Sequence, residues 1–344
     1  MPIGSLSAKD EKISAIIEGT SIFLQVPRYQ RGYAWNTDNI DDMLSDLQSV
    51  PKGSFFFGTL ILHIKPGDDN TFDLIDGQQR MTSVTIMLSV IRDILKQLGR
   101  ASESFDIHRH ISTKPLGGET THRLVPCAEL KENDFFARFI QNESVEEVLP
   151  VNESQKHVMK NKKYFQTWIE EKFNPASTEF PNKVLDLAVK MIQSKIILIK
   201  VEHAEDAYKI FESVNARGVD LSVADLLKNY LLTHIRETSP SEDPAAESWL
   251  KIQKTVESFE MAITMPKFVR YSWISRYQFD SEKNMYRGIR DKVPAAKCEE
   301  FLIQLSEDQV WRRVCVKLHY QIDLQKTCLE PLAGRDSTRS CHRS

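Results

Sequence analysis

The chain has 344 residues, 41% of them hydrophobic and 27% charged, with a formal net charge of −3. This is enough apolar material for a large buried core in two or three compact units, and no apolar run approaches the length that crosses a bilayer. The near-neutral balance does not advertise a nucleic-acid surface, although a local basic groove can sit inside such a total.

Five cysteines, Cys127, Cys298, Cys315, Cys328 and Cys341, are widely spaced, with no Cys-x-x-Cys pair to suggest zinc or redox chemistry. Reduced, structural thiols are expected. Met1-Pro2-Ile3-Gly4-Ser5 lacks the basic-then-apolar layout of a signal peptide, so a cytoplasmic location without membrane partners is expected.

In chain order, the pattern predicts a helix over about 8–18, a strand near 21–26, a loop over 28–36, and a helix opening after Asn36 or Thr37. Asp38, Asp41 and Asp42 suit the positive end of that helix. Residues 55–64 and the stretch ending at Ile75 read as a strand hairpin turned by Lys65-Pro66-Gly67-Asp68-Asp69-Asn70. A long amphipathic helix follows, with Val84, Met87, Leu88, Ile91, Ile94, Leu95 and Leu98 at helical spacing and Gly99 at its C-terminal cap.

Residues 100–125, rich in Ser, Thr, His and Gly, read as an irregular excursion, with short helices after it to about 173. A buried strand is predicted over 195–201, then a helix over about 205–214 carrying Ala207, Ile210, Phe211 and Val214 on one face. Ser222, with Asp225 three residues on, suits an N-cap. After a loop over 237–244 come helices with Trp249, Phe259 and Trp273, and 326–344 reads as a disordered tail. The organisation expected is an α/β core over 1–100, a helical region with a returning strand over 101–236, and a C-terminal helical region over 237–325.

Chemistry concentrates where the strand Phe72-Asp73-Leu74-Ile75 runs into Asp76-Gly77-Gln78-Gln79-Arg80 and a helix begins at once. Helix starts leave N–H groups unpaired and carry the positive end of the dipole, so an anion such as phosphate gains from both, and Arg80 adds a charged fork. A plainer reading has Asp76 and Gly77 make the turn while Arg80 pairs with a nearby acid. No Gly-x-x-x-x-Gly-Lys-Ser/Thr segment exists to cradle phosphates as a P-loop.

Arg28-Tyr29-Gln30-Arg31 offers two guanidiniums and an amide beside Tyr33 and Trp35, a set suited to phosphates or a stacked base. Tyr33 and Trp35 alternate along an extended segment and are assigned mainly to packing, Gln30 and Arg31 mainly to the site. Asp225, Lys228 and Asn229 share one helix face; a cap alone, at about 1 kcal/mol, explains Ser222 and Asp225 but not Lys228 beside Asn229. His108, His110 and His122 read as solvated loop histidines rather than a metal set.

Three segments together resemble one family: Val26-Pro27-Arg28-Tyr29-Gln30-Arg31-Gly32-Tyr33-Ala34-Trp35-Asn36; Phe57-Gly58-Thr59-Leu60 with Leu74 to Thr82; and Phe211-Glu212-Ser213-Val214-Asn215-Ala216-Arg217-Gly218 running on to Asp225-Leu226-Leu227-Lys228-Asn229. These, with weaker stretches at Arg123-Leu124-Val125-Pro126, Tyr271 to Arg276 and Met285-Tyr286, are similar to the N-terminal domain of GmrSD-type modification-dependent restriction proteins.

The resemblance implies an α+β fold related to the ParB and sulfiredoxin nucleotide-binding domains, joined to a helical region. It further implies that nucleoside triphosphate, with Mg2+, is bound and hydrolysed at Asp-Gly-Gln-Gln-Arg. On that expectation Asp76 binds the ion or orients the attacking water, Gln78 or Gln79 positions the water or the base, and Arg80 stabilises the transferring phosphoryl group. Arg28, Gln30, Arg31, Gly77 and Thr82 contact the nucleotide, joined by Asn215, Arg217, Lys228 and Asn229 as the helical region closes over the Asp76 loop.

In relatives this activity is coupled to attack on modified or foreign DNA, cleavage being performed by a separate HNH nuclease domain or partner. Three departures stand out: Gly32 in place of the common proline, Ser83 in place of a second threonine, and no recognisable nuclease domain. Val201-Glu202-His203 lacks the following Asn and His of an HNH site, and Glu170-Glu171-Lys172 lacks an upstream partner. The expectation is therefore a triphosphatase sensor or regulatory component served by a separate HNH subunit. The alternative is a non-catalytic nucleotide- or DNA-binding module, a truncated remnant.

Overall fold

The computed structural model describes residues 6–18, 22–64, 67, 70–114, 117–126, 135–143, 148–203, 210, 222–235, 243–258, 263–277 and 282–307. The chain divides into two compact units, 1–221 and 222–344.

The described strands of the first unit are β1 (Leu6–Lys12), β2 (Phe23–Gln25), β3 (Phe56–Ile64), β4 (Thr71–Asp76), β5 (Ser112–Thr113), β6 (Thr121–His122), β7 (Leu124–Val125) and β8 (Lys195–Val201), with branched and aromatic runs supplying β3, β4 and β8. Six form one sheet in the order β1-β8-β3-β4-β2-β7, while β5 and β6 pair separately. β3 and β4 make the expected antiparallel hairpin, β8 lies parallel to β3, and β1 runs antiparallel along β8 from Leu6 opposite Val201 to Lys12 opposite Lys195. β2 is parallel to both β4 and β7.

The described helices of this unit include α1 (Ser14–Ile17), α2 (Thr37–Ser49), α3 (Gln78–Gln97), α4 (Ala101–His108), α5 (Glu153–Phe173) and α6 (Phe180–Ile192), with a π-helical turn at Ala137–Gln141. Asn36 caps α2 in a reciprocal box with Asn39, as the sequence position suggests. One sheet face presents Leu60, Leu62, Phe72, Leu74, Ile196 and Leu198 to a core shared with α3, α5 and α6. The other carries a smaller cluster of Ile61, Ile75 and Val201, with Tyr29, Ile199 and Ile210 against it.

α3 departs from the one-sided helix that its apolar spacing predicts, because it runs through the middle of the unit and is buried nearly all round. Its polar residues survive there by bonding back to the helix: Ser83 Oγ donates to Gln79 O, Thr85 Oγ1 to Met81 O and Ser89 Oγ to Ile86 O.

Three expectations need correction. Residues 8–18 are not one helix; the charged stretch through Lys12 is edge strand β1, and only Ser14–Ile17 turns helical. The free edge of β8 supplies backbone partners that outweigh local helix preference, and the exposed Lys9, Asp10 and Lys12 suit an edge facing water. Residues 100–125 are more ordered than their composition suggests, containing α4 and three short strands, and α5 is one 21-residue helix in place of short ones.

The second unit is helical, with α7 (Val223–His234), α8 (Pro244–Glu257), α9 (Met265–Arg276), α10 (Glu282–Lys292) and α11 (Cys298–Ser306). Ser222 and Asp225 form the capping box at the start of α7. Trp249, Ile252, Trp273, Ile289, Phe301 and Leu302 are buried here, Trp273 stacking on Tyr277 at 4.1 Å between ring centroids. Cys298 is a buried free thiol whose pKa is raised by burial. The helix over about 205–214, apart from Ile210, and the tail over 326–344 lie outside the described residues. This is the α+β architecture expected, with helices dominating the C-terminal part. No helix among the described residues is long and apolar enough to cross a membrane.

Candidate functional site

At the end of β4 the register against β3 shifts: Leu62 faces Leu74, but Ile61 faces Asp76, so Ile75 is an extra residue in the ladder. Such a bulge re-aims the side chains after it. Gly77 follows at φ +98° as the N-cap of α3, and a Cβ there would lie 2.1 Å from Leu60 Cδ2. A glycine cap has no side chain to offer, so no side-chain cap serves the first turn of α3.

Arg80 is braced on two sides. Its Nη2 donates to Asp76 Oδ2 at 3.0 Å and its Nη1 to the Phe57 carbonyl at 3.1 Å, with the two side chains 21% and 17% exposed. Gly58 makes this possible: it sits at φ +99°, and a Cβ on it would come within 2.0 Å of Arg80 Nη1. Glycine inside a strand signals close approach of another group, and here that group is the guanidinium.

Both motif glutamines reach across to the loop over 26–36. Gln78 Nε2 donates to Arg31 O at 2.7 Å; Gln79 Oε1 accepts from Ala34 N at 2.8 Å and Trp35 N at 3.3 Å, while its Nε2 donates to Gly32 O at 3.1 Å. From the loop side, Gln30 Nε2 donates to Ile75 O at 2.9 Å. β2 stops at Gln25 opposite Asp73, so the Ile75 carbonyl lies past the end of that pairing and Gln30 takes the place of a strand neighbour.

The loop therefore stands beside the start of α3, bringing together Gln30, Arg31, Asp76, Gly77, Gln78, Gln79 and Arg80. Among the described residues no hydrogen bond or ion pair engages the Arg31 side chain, and Arg28 is partly buried in the same loop. Thr82 is buried within α3. The assignment of Tyr33 and Trp35 to packing agrees with their positions: Tyr33 is buried and Trp35 packs against the main core. Burial pushes the Tyr33 phenol up to about 12 despite its hydrogen bonds with Ser83 and Asn161. Tyr29 is raised further, by burial and then by the Asp73 carboxylate.

Residues 11–232 match the GmrSD restriction endonuclease, N-terminal domain family. The chain belongs to this family. The match spans the whole junction just described, from the loop over 26–36 to the helix start at Asp76 to Arg80. No curated protein matches the chain.

Membership in the GmrSD N-terminal domain family ties the chain to restriction and phage-defence systems. Of the further candidates in its third motif, Asn215 and Arg217 lie outside the described residues. Lys228 and Asn229 belong to α7 of the second unit, Lys228 partly buried and Asn229 buried.

Asp76 offers one carboxylate for a metal, with Oδ2 already accepting from Arg80. Among the described residues no three His, Cys, Asp or Glu side chains gather to hold an ion. A single carboxylate fits Mg2+ as that ion is commonly bound, through one protein ligand, water and substrate phosphates.

The three histidines have separate partners: His108 approaches Glu143 and Arg92, His110 meets Glu18 at 3.2 Å, and His122 meets the Ser112 hydroxyl at 2.7 Å. His108 titrates below its ordinary value, through burial first and the Arg92 charge second. Below about pH 6.5 the unfolded chain takes up a proton that folded His108 resists, so its contribution to stability is present at neutral pH and lost as pH falls. Urea unfolding at pH 7 and pH 5 is expected to show lower stability at pH 5, and His108→Gln a shallower pH dependence.

Sequence reasoning missed the roles of Gly58, Ser83, Ser154 and Asn161. Gly58 left a signal as a glycine within a strand, and Asn161 left one as a polar residue in the stripe Val158, Phe165 and Ile169 of α5.

Proposed function

We propose that this GmrSD N-terminal domain binds nucleoside triphosphate at the start of α3 and hydrolyses it, as the sensor or regulatory component of a restriction system whose nuclease is a separate HNH subunit. The observation that carries this reading is the pinning of the loop over 26–36 by three glutamine side chains, which holds the Arg31 backbone against Gln78 at an uncapped helix start that also carries Arg80. Phosphate oxygens match that combination of cations and first-turn N–H groups. Asp76, next to it, suits Mg2+, which would offset charge on the phosphates.

Within this scheme Arg80 uses two of its five N–H donors on Asp76 and the Phe57 carbonyl. The remaining donors serve the phosphoryl group in a fixed position, so little reorganisation accompanies charge development. Gln78 and Gln79 hold the loop, and Asp76 would hold the ion or orient the attacking water. Modified or foreign DNA is the signal this activity would serve.

A second reading, nucleotide binding without turnover, is favoured by one observation: the Gln79 amide already bonds through both its oxygen and its nitrogen to the loop backbone, so it is not at liberty to position water. Phosphate release with each of four ribonucleoside triphosphates and Mg2+, with and without DNA, separates the two. Turnover is expected for the wild-type chain and is expected to vanish in Asp76→Ala. In Arg80→Ala, nucleotide affinity is expected to fall by about 1.5–3 kcal/mol, roughly ten- to a hundredfold. Unchanged binding in Arg80→Ala would overturn the assignment; Arg80-dependent binding without turnover in the wild type would select the second reading.

A further inference from the structure

α5 grips the same loop from the other side. Asn161 Nδ2 donates to Trp35 O at 2.8 Å and to Tyr33 OH at 2.9 Å, and Ser154 Oγ accepts from Tyr33 N at 2.8 Å. A carbonyl accepts only, so the Trp35 contact fixes which end of the Asn161 amide is nitrogen. With its one proton, Tyr33 OH then donates to Ser83 Oγ at 2.7 Å, and Ser83 donates to Gln79 O. One directed chain of hydrogen bonds runs from α5 through the loop to the residue whose side chain holds Ala34 and Trp35.

Asn161 is completely buried, and among the described residues its Oδ1 has no hydrogen-bond partner. A buried acceptor left unpaired works against stability. In the apolar stripe of α5 a hydrophobic residue would stabilise the core better, so the amide is explained by what its nitrogen holds.

We propose that Asn161, assisted by Ser154, is a positioning residue that sets the loop over 26–36 so that Gln30 and Arg31 stand at the start of α3. Its consequence for nucleotide rests on the function proposed above, whereas its consequence for the loop does not.

The test compares Asn161→Ala with Phe165→Leu, a core change one turn along the same buried stripe of α5 that serves as a control for lost stability. Ser154→Ala, at a partly exposed position, is the second variant should Asn161→Ala fail to fold. Hydrogen exchange of the Ala34 and Trp35 amides is read first, since both bond to Gln79 and neither to α5. Loss of one hydrogen bond's restraint is expected to speed their exchange about tenfold beyond the control. With Mg-triphosphate, Asn161→Ala is expected to raise KM about tenfold at unchanged kcat, because a displaced loop weakens binding. Simple loss of folded protein would instead lower kcat at constant KM.

Loop exchange equal to the control overturns the proposal whatever happens with nucleotide. Faster exchange with unchanged nucleotide affinity also overturns it. Faster exchange in a chain that binds no triphosphate even as wild type upholds the loop assignment and removes the nucleotide function instead.

Discussion

Replacing Asp93 by alanine is expected to destabilise the first unit by about 3–5 kcal/mol, because it strands two cations in the interior. Arg92 is 2% exposed; its Nε donates to Asp93 Oδ1 at 2.8 Å, and Lys162 Nζ lies 3.2 Å from Asp93 Oδ2. Lys162 also donates to Phe139 O and sits over the Phe139 ring, and burial, the largest influence on it, lowers its pKa against the opposing pull of Asp93. Without that carboxylate, Arg92 cannot discharge and Lys162 must either shed its proton or stay charged beside a second cation. Glu143 is no substitute, being 64% exposed and 3.6 Å from His108. Urea unfolding of Asp93→Ala checks the magnitude, and Asp93→Ala with Lys162→Met is expected to recover part of the loss. A loss below about 1 kcal/mol would show that the cluster behaves like a solvated surface pair.

Gln79→Leu should act on the junction more than on the core. The substitution keeps apolar bulk but removes the acceptor for Ala34 N and Trp35 N and the donor to Gly32 O. Part of this backbone borders water, which re-solvates it, so the expected loss is about 2–3 kcal/mol rather than the full sum of unmet bonds. On the proposed function the loop then samples positions in which Arg31 is remote from the start of α3, and triphosphate affinity falls roughly thirty- to a hundredfold. Calorimetric titration with Mg-triphosphate checks the affinity and thermal unfolding checks the fold. Gln79→Glu is informative beside it: a carboxylate still accepts from Ala34 and Trp35 but repels Gly32 O, so an intermediate affinity is expected.

Local chemistry made much of this legible. The turn residues between β3 and β4 announced a hairpin, Asn36 and Ser222 announced helix starts, and the branched run at 195–201 announced a strand, though one buried on a single face with Ile197 exposed. What escaped depends on partners distant in sequence. β1 is a strand because β8, nearly two hundred residues later, lends it an edge. Gln78 and Gln79 looked like ligand groups because two amides at a helix start have few local uses, whereas their observed bonds reach a loop 44 to 47 residues back. Asn161 lies 126 residues from the carbonyl it holds. Periodicity reports which face of an element is apolar, and it cannot report which polar atom on another element waits opposite.

β8 enters the sheet between β1 and β3, both of which precede it by well over a hundred residues. During synthesis the β3–β4 hairpin can form soon after it emerges, yet β3 keeps an open edge and β1 has no neighbour until residues 195–201 leave the ribosome. The sheet is thus completed by insertion of β8 between β1 and β3, a long-range closure of the kind that slows folding. Until then the nascent chain exposes the apolar edge of β3, a template for pairing with other chains.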